Sequence, residues 1–159
     1  MNNILTSKPF ATPASNSRAP SFDIILTPDG TINATSPAWI VAFTRRIENL
    51  LKLQDGWDGV GSKRPQLNCV IEALEFLFGS LSHDTLPPQV VPTSEGGIQL
   101  EWHTKGIDLE ITFSPGLRAS FLFSSNSGPD FEGSVNDHTG FVSATLRVLR
   151  STNARPAAR

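Results

Sequence analysis

The architecture of this chain is set by one stretch, IQLEWHTKGIDLEITF, which occupies residues 98–113. Apolar and polar residues alternate in both halves of the stretch, and this period of two is typical of β-strands with one buried and one solvated face. The halves are separated by Lys105-Gly106, a pair typical of a two-residue hairpin turn with glycine last. The sequence therefore predicts an antiparallel hairpin whose inward side chains are Ile98, Leu100, Trp102, Ile107, Leu109, Ile111 and Phe113.

A two-residue turn also fixes which residues face each other across the hairpin. Glu101 is predicted to lie opposite Glu110, and His103 opposite Asp108, with all four side chains on the solvated face. Like charges directly opposite on a sheet are mildly unfavourable, so something must offset them. A cation, a basic partner surface or Arg118 could do so.

Alternation of the same kind extends the sheet on both sides of the hairpin. Ser114-Pro115-Gly116 is interpreted as a three-residue loop, which places Glu110 opposite Ser120 and diagonal to Arg118. The inward side chains of the strand after this loop are predicted to be Leu117, Ala119, Phe121 and Phe123. A shorter strand at about 131–135, which carries Glu132, and an edge strand at 89–91 give an antiparallel meander of about four to five strands.

Two helices are predicted before the meander and one after it. The first follows a cap at Ser36-Pro37 and ends near Leu53, and the second follows Pro65 and runs to about Leu81. Asn136 or Asp137 is predicted to cap the third helix. The inward residues of this helix are predicted to be Phe141, Val142, Thr145, Leu146 and Leu149. Helices in one block and strands in the next indicate an α+β fold, with two N-terminal helices and a C-terminal helix on one sheet face.

The length of 159 residues corresponds to one domain. Residues 1–20 and 151–159 are predicted to be a flexible arm and a flexible tail, because apolar residues there are too scattered to offset the entropy of ordering the backbone. A single α+β domain is predicted for residues 21–150, with a short hairpin at 22–33.

Composition excludes several classes of function. Thirteen Lys and Arg against fifteen Asp and Glu give a net charge of -2 and an isoelectric point near 5.9, so binding to nucleic acid is unlikely. The single cysteine excludes a disulfide framework and a multi-cysteine zinc site. Apolar runs are too short for a membrane span, and no signal peptide is evident, so a cytoplasmic protein without membrane contact is predicted.

The glycine-rich segment Asp55–Gly61 could be mistaken for a metal-binding loop. A calcium loop needs oxygen ligands at alternate positions, and here Trp57 and Val60 stand where ligands should be. A structural turn is favoured, in which Asp58 binds free backbone amides. No metal and no cofactor are predicted, and Cys69, which lies beside the apolar stripe of the second helix, is expected to be an inert thiol.

Three further stretches form an ordered set of motifs. They are Leu53–Ser62 followed by Pro65, then Val90–Thr93, then Gly96–Trp102 with Leu109-Glu110. Together they resemble a group of small uncharacterised bacterial and phage proteins that carry a Gly-Trp-Asp-Gly turn, a helix and a Pro-Thr…Gly-Gly-Ile-x-Leu-Glu-Trp strand. The resemblance spans roughly residues 50–113 and carries over no catalytic role. It implies a bacterial or mobile-element setting, in which small acidic α+β proteins are often antitoxins, immunity proteins or phage inhibitors.

Three functions remain open at this point. The first is a non-enzymatic binding module that occupies the surface of another protein, for which a basic surface would be complementary. Its candidate surface is formed by Glu101, His103, Asp108, Glu110, Arg118 and Glu132. The second is a small hydrolase-like enzyme that uses the paired carboxylates and His103 for acid–base catalysis. The third is a homo-oligomeric structural component that pairs through the edge strand at 89–91, although Pro88 and Pro92 blunt that edge.

Overall fold

A five-stranded antiparallel sheet and three helices form the part of the chain that the structure, a computed structural model, describes: residues 38–82 and 84–150. The helices are α1 (Ala38–Leu50), α2 (Leu67–Ser80) and α3 (Thr139–Val148). The strands are β1 (Gln89–Pro92), β2 (Ile98–Thr104), β3 (Ile107–Phe113), β4 (Ser120–Ser125) and β5 (Gly128–Ser134). The α+β prediction is confirmed. The predicted arm, tail, hairpin at 22–33 and cap at Ser36-Pro37 lie outside the described residues.

The hairpin formed by β2 and β3 has the predicted register. Glu101 pairs with Glu110, and His103 pairs with Asp108. The turn is tight enough to hold Lys105 in the left-handed region, at a φ of 56°, which disfavours most side chains. Gly106 follows at a φ of 70°, where only the absence of a β-carbon makes the conformation easy.

Lys105 also joins this turn to the end of α3. Its ammonium group donates to the carbonyl oxygens of Val148, at 2.9 Å, and Arg150, at 2.6 Å. Carbonyl groups at a helix C-terminus lack intrahelical partners and attract cations. The contact therefore ties the turn of the hairpin to the last helix.

The apolar face of the sheet carries the core. Helix α1 lies against β1, and α2 lies against β2 and β3. The ring of Phe141 in α3 packs against Phe121, Phe123 and Phe131. The largest fully buried side chains are Leu77, Ile98, Leu100, Leu109, Ile111, Leu149, Val142 and Cys69. The opposite face, which carries Glu101, His103, Asp108, Glu110 and Glu132, is called the polar face below.

The predicted register between β3 and β4 is wrong by two residues. Glu110 faces Leu122 rather than Ser120, because β4 begins only at Ser120. The amide of Leu117 donates to the carbonyl of Ser114 at 3.1 Å, which closes a turn inside a longer loop, and Leu117 is 68% exposed. Arg118 consequently lies in this loop, outside the strand pairing. A shift of two residues leaves each side chain of β4 on its predicted face.

The buried face of α2 also differs from the predicted stripe. Cys69 and Ala73 are fully buried, whereas Leu67 is 61% and Ile71 46% exposed. The sheet therefore packs against a face of α2 that includes its small side chains. Cys69 was expected beside the stripe and lies on it. Burial, with a smaller contribution from Glu72, raises the pKa of its thiol, which agrees with the expected lack of reactivity.

Several element ends differ from the predictions. Helix α1 ends at Leu50, short of Leu53, since the chain turns at Leu51 and Lys52. Helix α3 has His138 at its N-cap with no side-chain cap, so the predicted cap at Asn136 or Asp137 is wrong. Strand β5 begins earlier than predicted, because its pairing with β4 continues through a bulge to Gly128.

The segment that connects α1 and α2 is a structural turn, as predicted. One carboxylate oxygen of Asp58 accepts the amides of Val60, at 3.0 Å, and Ser62, at 3.1 Å, and the other accepts the hydroxyl of Ser62. These bonds, chiefly the one from the Ser62 hydroxyl, lower the pKa of Asp58. The carboxylate is thus held within its own loop.

The described residues contain no helix that is both long and apolar enough to cross a membrane.

Gly97, at the bend between β1 and β2, offers a direct test of this packing. A β-carbon at this position would collide with the backbone carbonyl of Phe113. Gly97→Ala should therefore lower the free energy of unfolding by about 1–3 kcal/mol, as overpacking against backbone does. In Gly79→Ala the new β-carbon meets no atom within 4 Å. This control should leave stability unchanged or raised, because alanine favours helix. Urea unfolding compares the two variants, and equal stability would contradict the described packing.

Candidate functional site

One lateral row of the polar face crosses all five strands of the sheet. The cross-strand partners in this row are Gln89, Glu101, Glu110, Leu122 and Glu132. Neighbouring strands in a sheet lie about 4.8 Å apart, so Glu110 and Glu132 are separated by about 10 Å with Leu122 between them. The row thus places three carboxylates and one leucine side by side.

The repulsion between Glu101 and Glu110 is offset by two neighbours on β2. The side-chain amide of Gln99 donates to Glu110 at 2.6 Å. Nε2 of His103 lies 3.2 Å from a carboxylate oxygen of Glu101. Each glutamate is therefore held by a different partner, Gln99 or His103. Arg118, which was one of three predicted sources of compensation beside a cation and a basic partner surface, lies in the loop before β4.

His103 bridges two carboxylates. In addition to the contact with Glu101, its Nδ1 lies 2.9 Å from a carboxylate oxygen of Asp108. Carboxylates accept hydrogen bonds, so the arrangement favours the imidazolium form, in which both ring nitrogens donate. The bonds to Asp108 and then Glu101 raise the pKa of His103, against a smaller opposing effect of burial. The two carboxylates therefore stabilise positive charge on the ring of His103.

Two shallow depressions lie on either side of Leu122. The first has a volume of about 240 Å³ and is lined by His103, Asp108, Glu110, Leu122 and Ser124. The second, of about 360 Å³, is lined by Thr112, Ser120, Phe121, Leu122, Glu132 and Gly133. Leu122 itself is 39% exposed. An exposed apolar side chain therefore stands between two acidic hollows.

The structure brings together four of the six predicted site residues. Glu101, His103, Asp108 and Glu110 form one cluster on β2 and β3. Glu132 lies on the same face beyond Leu122, and Arg118 lies in the exposed loop before β4.

Sequence reasoning gave no role to Gln99 or Leu122. The signal for Leu122 was present, because it is an apolar residue at a position where the alternation of β4 predicts a polar one. Gln99 carried no comparable signal, since its bond to Glu110 depends on a side-chain conformation.

The cluster is poorly suited to hold a metal ion. Among the described residues, no group of three or more histidine, cysteine, aspartate or glutamate side chains is arranged to bind one. His103 directs both ring nitrogens at carboxylates of the protein itself. What the arrangement presents is fixed negative charge on an open surface.

Comparisons of this chain with known proteins found no match. No family model, no curated protein and no solved structure matches it. The resemblance of residues 50–113 to small bacterial and phage proteins therefore stays a prediction, and function must be argued from the geometry of the polar face.

The His103 bridge predicts a specific dependence of stability on pH. The pKa of His103 is raised in the folded protein, so its contribution is fully present below the unfolded value of about 6.5 and is lost as pH rises through the folded pKa. Between pH 5 and 8, the stability difference between the wild-type protein and His103→Gln should therefore shrink as pH increases. Urea unfolding at several pH values measures this difference. Parallel curves for the two proteins would contradict the bridge.

Proposed function

We propose that the protein is a non-enzymatic protein-binding module that occupies the surface of a partner protein with its polar face. It would act in the manner of an antitoxin, an immunity protein or a phage inhibitor. The proposal includes a cytoplasmic location, and the resemblance of residues 50–113 implies a bacterial or mobile-element setting. The observation that carries it is the row of Glu110, Leu122 and Glu132 on a sheet face that no helix covers within residues 38–82 and 84–150.

This row has the composition of a recognition surface. Protein interfaces combine an apolar anchor, buried on binding, with a polar rim that sets orientation. Leu122 supplies the anchor, and the carboxylates on either side supply the rim. A single exposed leucine is ordinary on protein surfaces. Leu122 differs from such a residue in its position between two carboxylates.

Three of the four carboxylates that define the polar face, those of Glu101, Asp108 and Glu110, are held by hydrogen bonds before any partner arrives. Gln99 holds Glu110, and His103 holds Glu101 and Asp108. A surface whose side chains are already fixed loses less conformational entropy on binding, which favours affinity. The excess of negative charge favours a partner with a basic surface, and complementary charge also accelerates association.

Hydrolysis has weaker support from the same geometry. A general base needs a free nitrogen or oxygen within reach of the substrate proton, and both ring nitrogens of His103 face carboxylates. Both depressions are shallow and open to water, whereas catalysis by paired carboxylates benefits from a site that excludes it.

The proposal is tested by capturing the partner protein from the native cells, with the wild-type protein and charge-matched variants as bait. The wild-type protein should retain a stoichiometric partner, and Glu110→Gln with Glu132→Gln should reduce retention about tenfold, as should Leu122→Ala. The control is Glu72→Gln with Glu75→Gln, two exposed carboxylates of α2, which removes the same charge elsewhere. It should retain the partner like the wild-type protein.

Two results would contradict the proposal. One is the absence of any stoichiometric partner under low salt, where charge-assisted binding is strongest. The other is equal retention by the two double variants, which would place the interface away from the polar face. Thermal unfolding of each variant confirms that loss of binding is not loss of fold.

A further inference from the structure

The two edge strands of the sheet, β1 and β5, differ in whether their outward backbone groups can pair with an added strand. At β1 these groups are blocked. The amide of Thr93 donates to Gly97 toward β2, so by alternation the backbone groups of Val90 point to the outer side. Nε of Arg46, from α1, donates to the carbonyl of Val90 at 2.8 Å. Pro92 has no amide hydrogen to offer. This edge is therefore closed to an added strand.

At the other edge, formed by β5, no further strand of the described residues pairs with the outer side. The amide of Val135 donates to Ala119 at 2.9 Å, toward β4, so by the same alternation the backbone groups of Glu132 and Ser134 point outward. Nδ1 of His138 donates to the carbonyl of Ser134. The amide and carbonyl of Glu132 and the amide of Ser134 are left without a backbone partner among residues 38–82 and 84–150.

The edge carries one acidic and one aromatic side chain on opposite faces, Glu132 and Phe131, followed by Gly133 and Ser134. Glu132 is exposed on the polar face. Phe131 points to the other face, where it packs against Phe121 and Phe141 but remains 37% exposed. Pro129 and the adjoining bulge limit the usable edge to residues 131–134.

We propose that the partner adds an extended segment to the outer edge of β5, with basic and apolar side chains in alternation. The basic side chains lie beside Glu132, and the apolar ones cover the exposed part of Phe131. Backbone hydrogen bonds to Glu132 and Ser134 supply the pairing, as in other cases where a peptide extends a sheet. The inference rests on the proposed function and names the kind of partner that the polar face receives.

A second copy of the chain fits this edge less well. Two-fold pairing of one β5 with another over residues 131–134 places Glu132 opposite either the Glu132 or the Ser134 of the other copy, so no cation meets the carboxylate. Like charges on neighbouring strands are destabilising, whereas a lysine or arginine there is stabilising. Charge complementarity therefore favours a basic segment over self-association.

Amide hydrogen exchange measured by NMR on the full chain tests the inference. The probe is the peptide acetyl-Lys-Val-Lys-Val-Lys-Val-amide. In the free protein, the amides of Glu132 and Ser134 should exchange at least about tenfold faster than those of Gly133 and Val135, which face β4. The probe should slow exchange at Glu132 and Ser134 about tenfold or more.

Two control peptides separate charge from pattern. Acetyl-Glu-Val-Glu-Val-Glu-Val-amide has the alternation with the wrong charge, and acetyl-Lys-Lys-Lys-Val-Val-Val-amide has the charge without the alternation. Neither should protect these amides. Glu132→Gln should weaken binding of the probe several-fold, and Glu75→Gln should leave it unchanged.

Four outcomes would overturn the inference. The first is slow exchange at the Glu132 amide in the free protein, which would mean that the edge is already covered. The others are no protection by the probe, equal protection by the acidic peptide, and equal protection by the peptide without alternation. Failure of the inference is distinguishable from failure of the proposed function. The distinguishing result is a partner that is captured only when Glu110 and Leu122 are intact and yet fails to slow hydrogen exchange at the Glu132 amide. That result would support the proposed function and contradict binding at the β5 edge.

Discussion

The hairpin between β2 and β3 is the constraint on which the rest of the structure depends. Its two-residue turn, with Lys105 and Gly106 both at positive φ, allows only one register. That register directs Trp102 into the protein, where its indole nitrogen donates to the carbonyl of Leu86 at 2.9 Å. It also directs Glu101 and Glu110 to the polar face together. A shift by one residue would exchange the two faces and bury the carboxylates.

The chemical character of the polar face follows from this forced contact between two glutamates. The protein relieves the repulsion with a hydrogen-bond donor, Gln99, and with a titratable cation, His103, rather than by moving the carboxylates apart. The hydrogen bonds from Gln99 and His103 fix the orientation of the acidic groups, and the cluster keeps an excess of negative charge. Beyond Glu110, Leu122 adds apolar surface to the same row. These features together favour recognition of a basic partner over catalysis.

Local sequence signals predicted the elements but not their finer relations. The β2–β3 register was predictable because a glycine-terminated pair separates two alternating runs. The β3–β4 register was not, since Ser114-Pro115-Gly116 suits a short loop and Leu117 continues the alternation, although it lies in a longer loop. The burial of Cys69 depends on how closely α2 approaches the sheet, which periodicity does not encode. The role of His103 as a bridge between two acids depends on side-chain conformation.

The most direct test of this account is an NMR measurement of the nuclear Overhauser effect between the α-protons of Glu101 and Glu110. These residues form a pair that does not exchange backbone hydrogen bonds, three positions beyond the hydrogen-bonded pair of Thr104 and Ile107 at the turn. Such pairs bring their α-carbons to about 4.5 Å. The account predicts a strong effect between these two protons. A strong effect from Glu101 to Asp108 or to Thr112 instead would show a different register, and the acidic row would not exist.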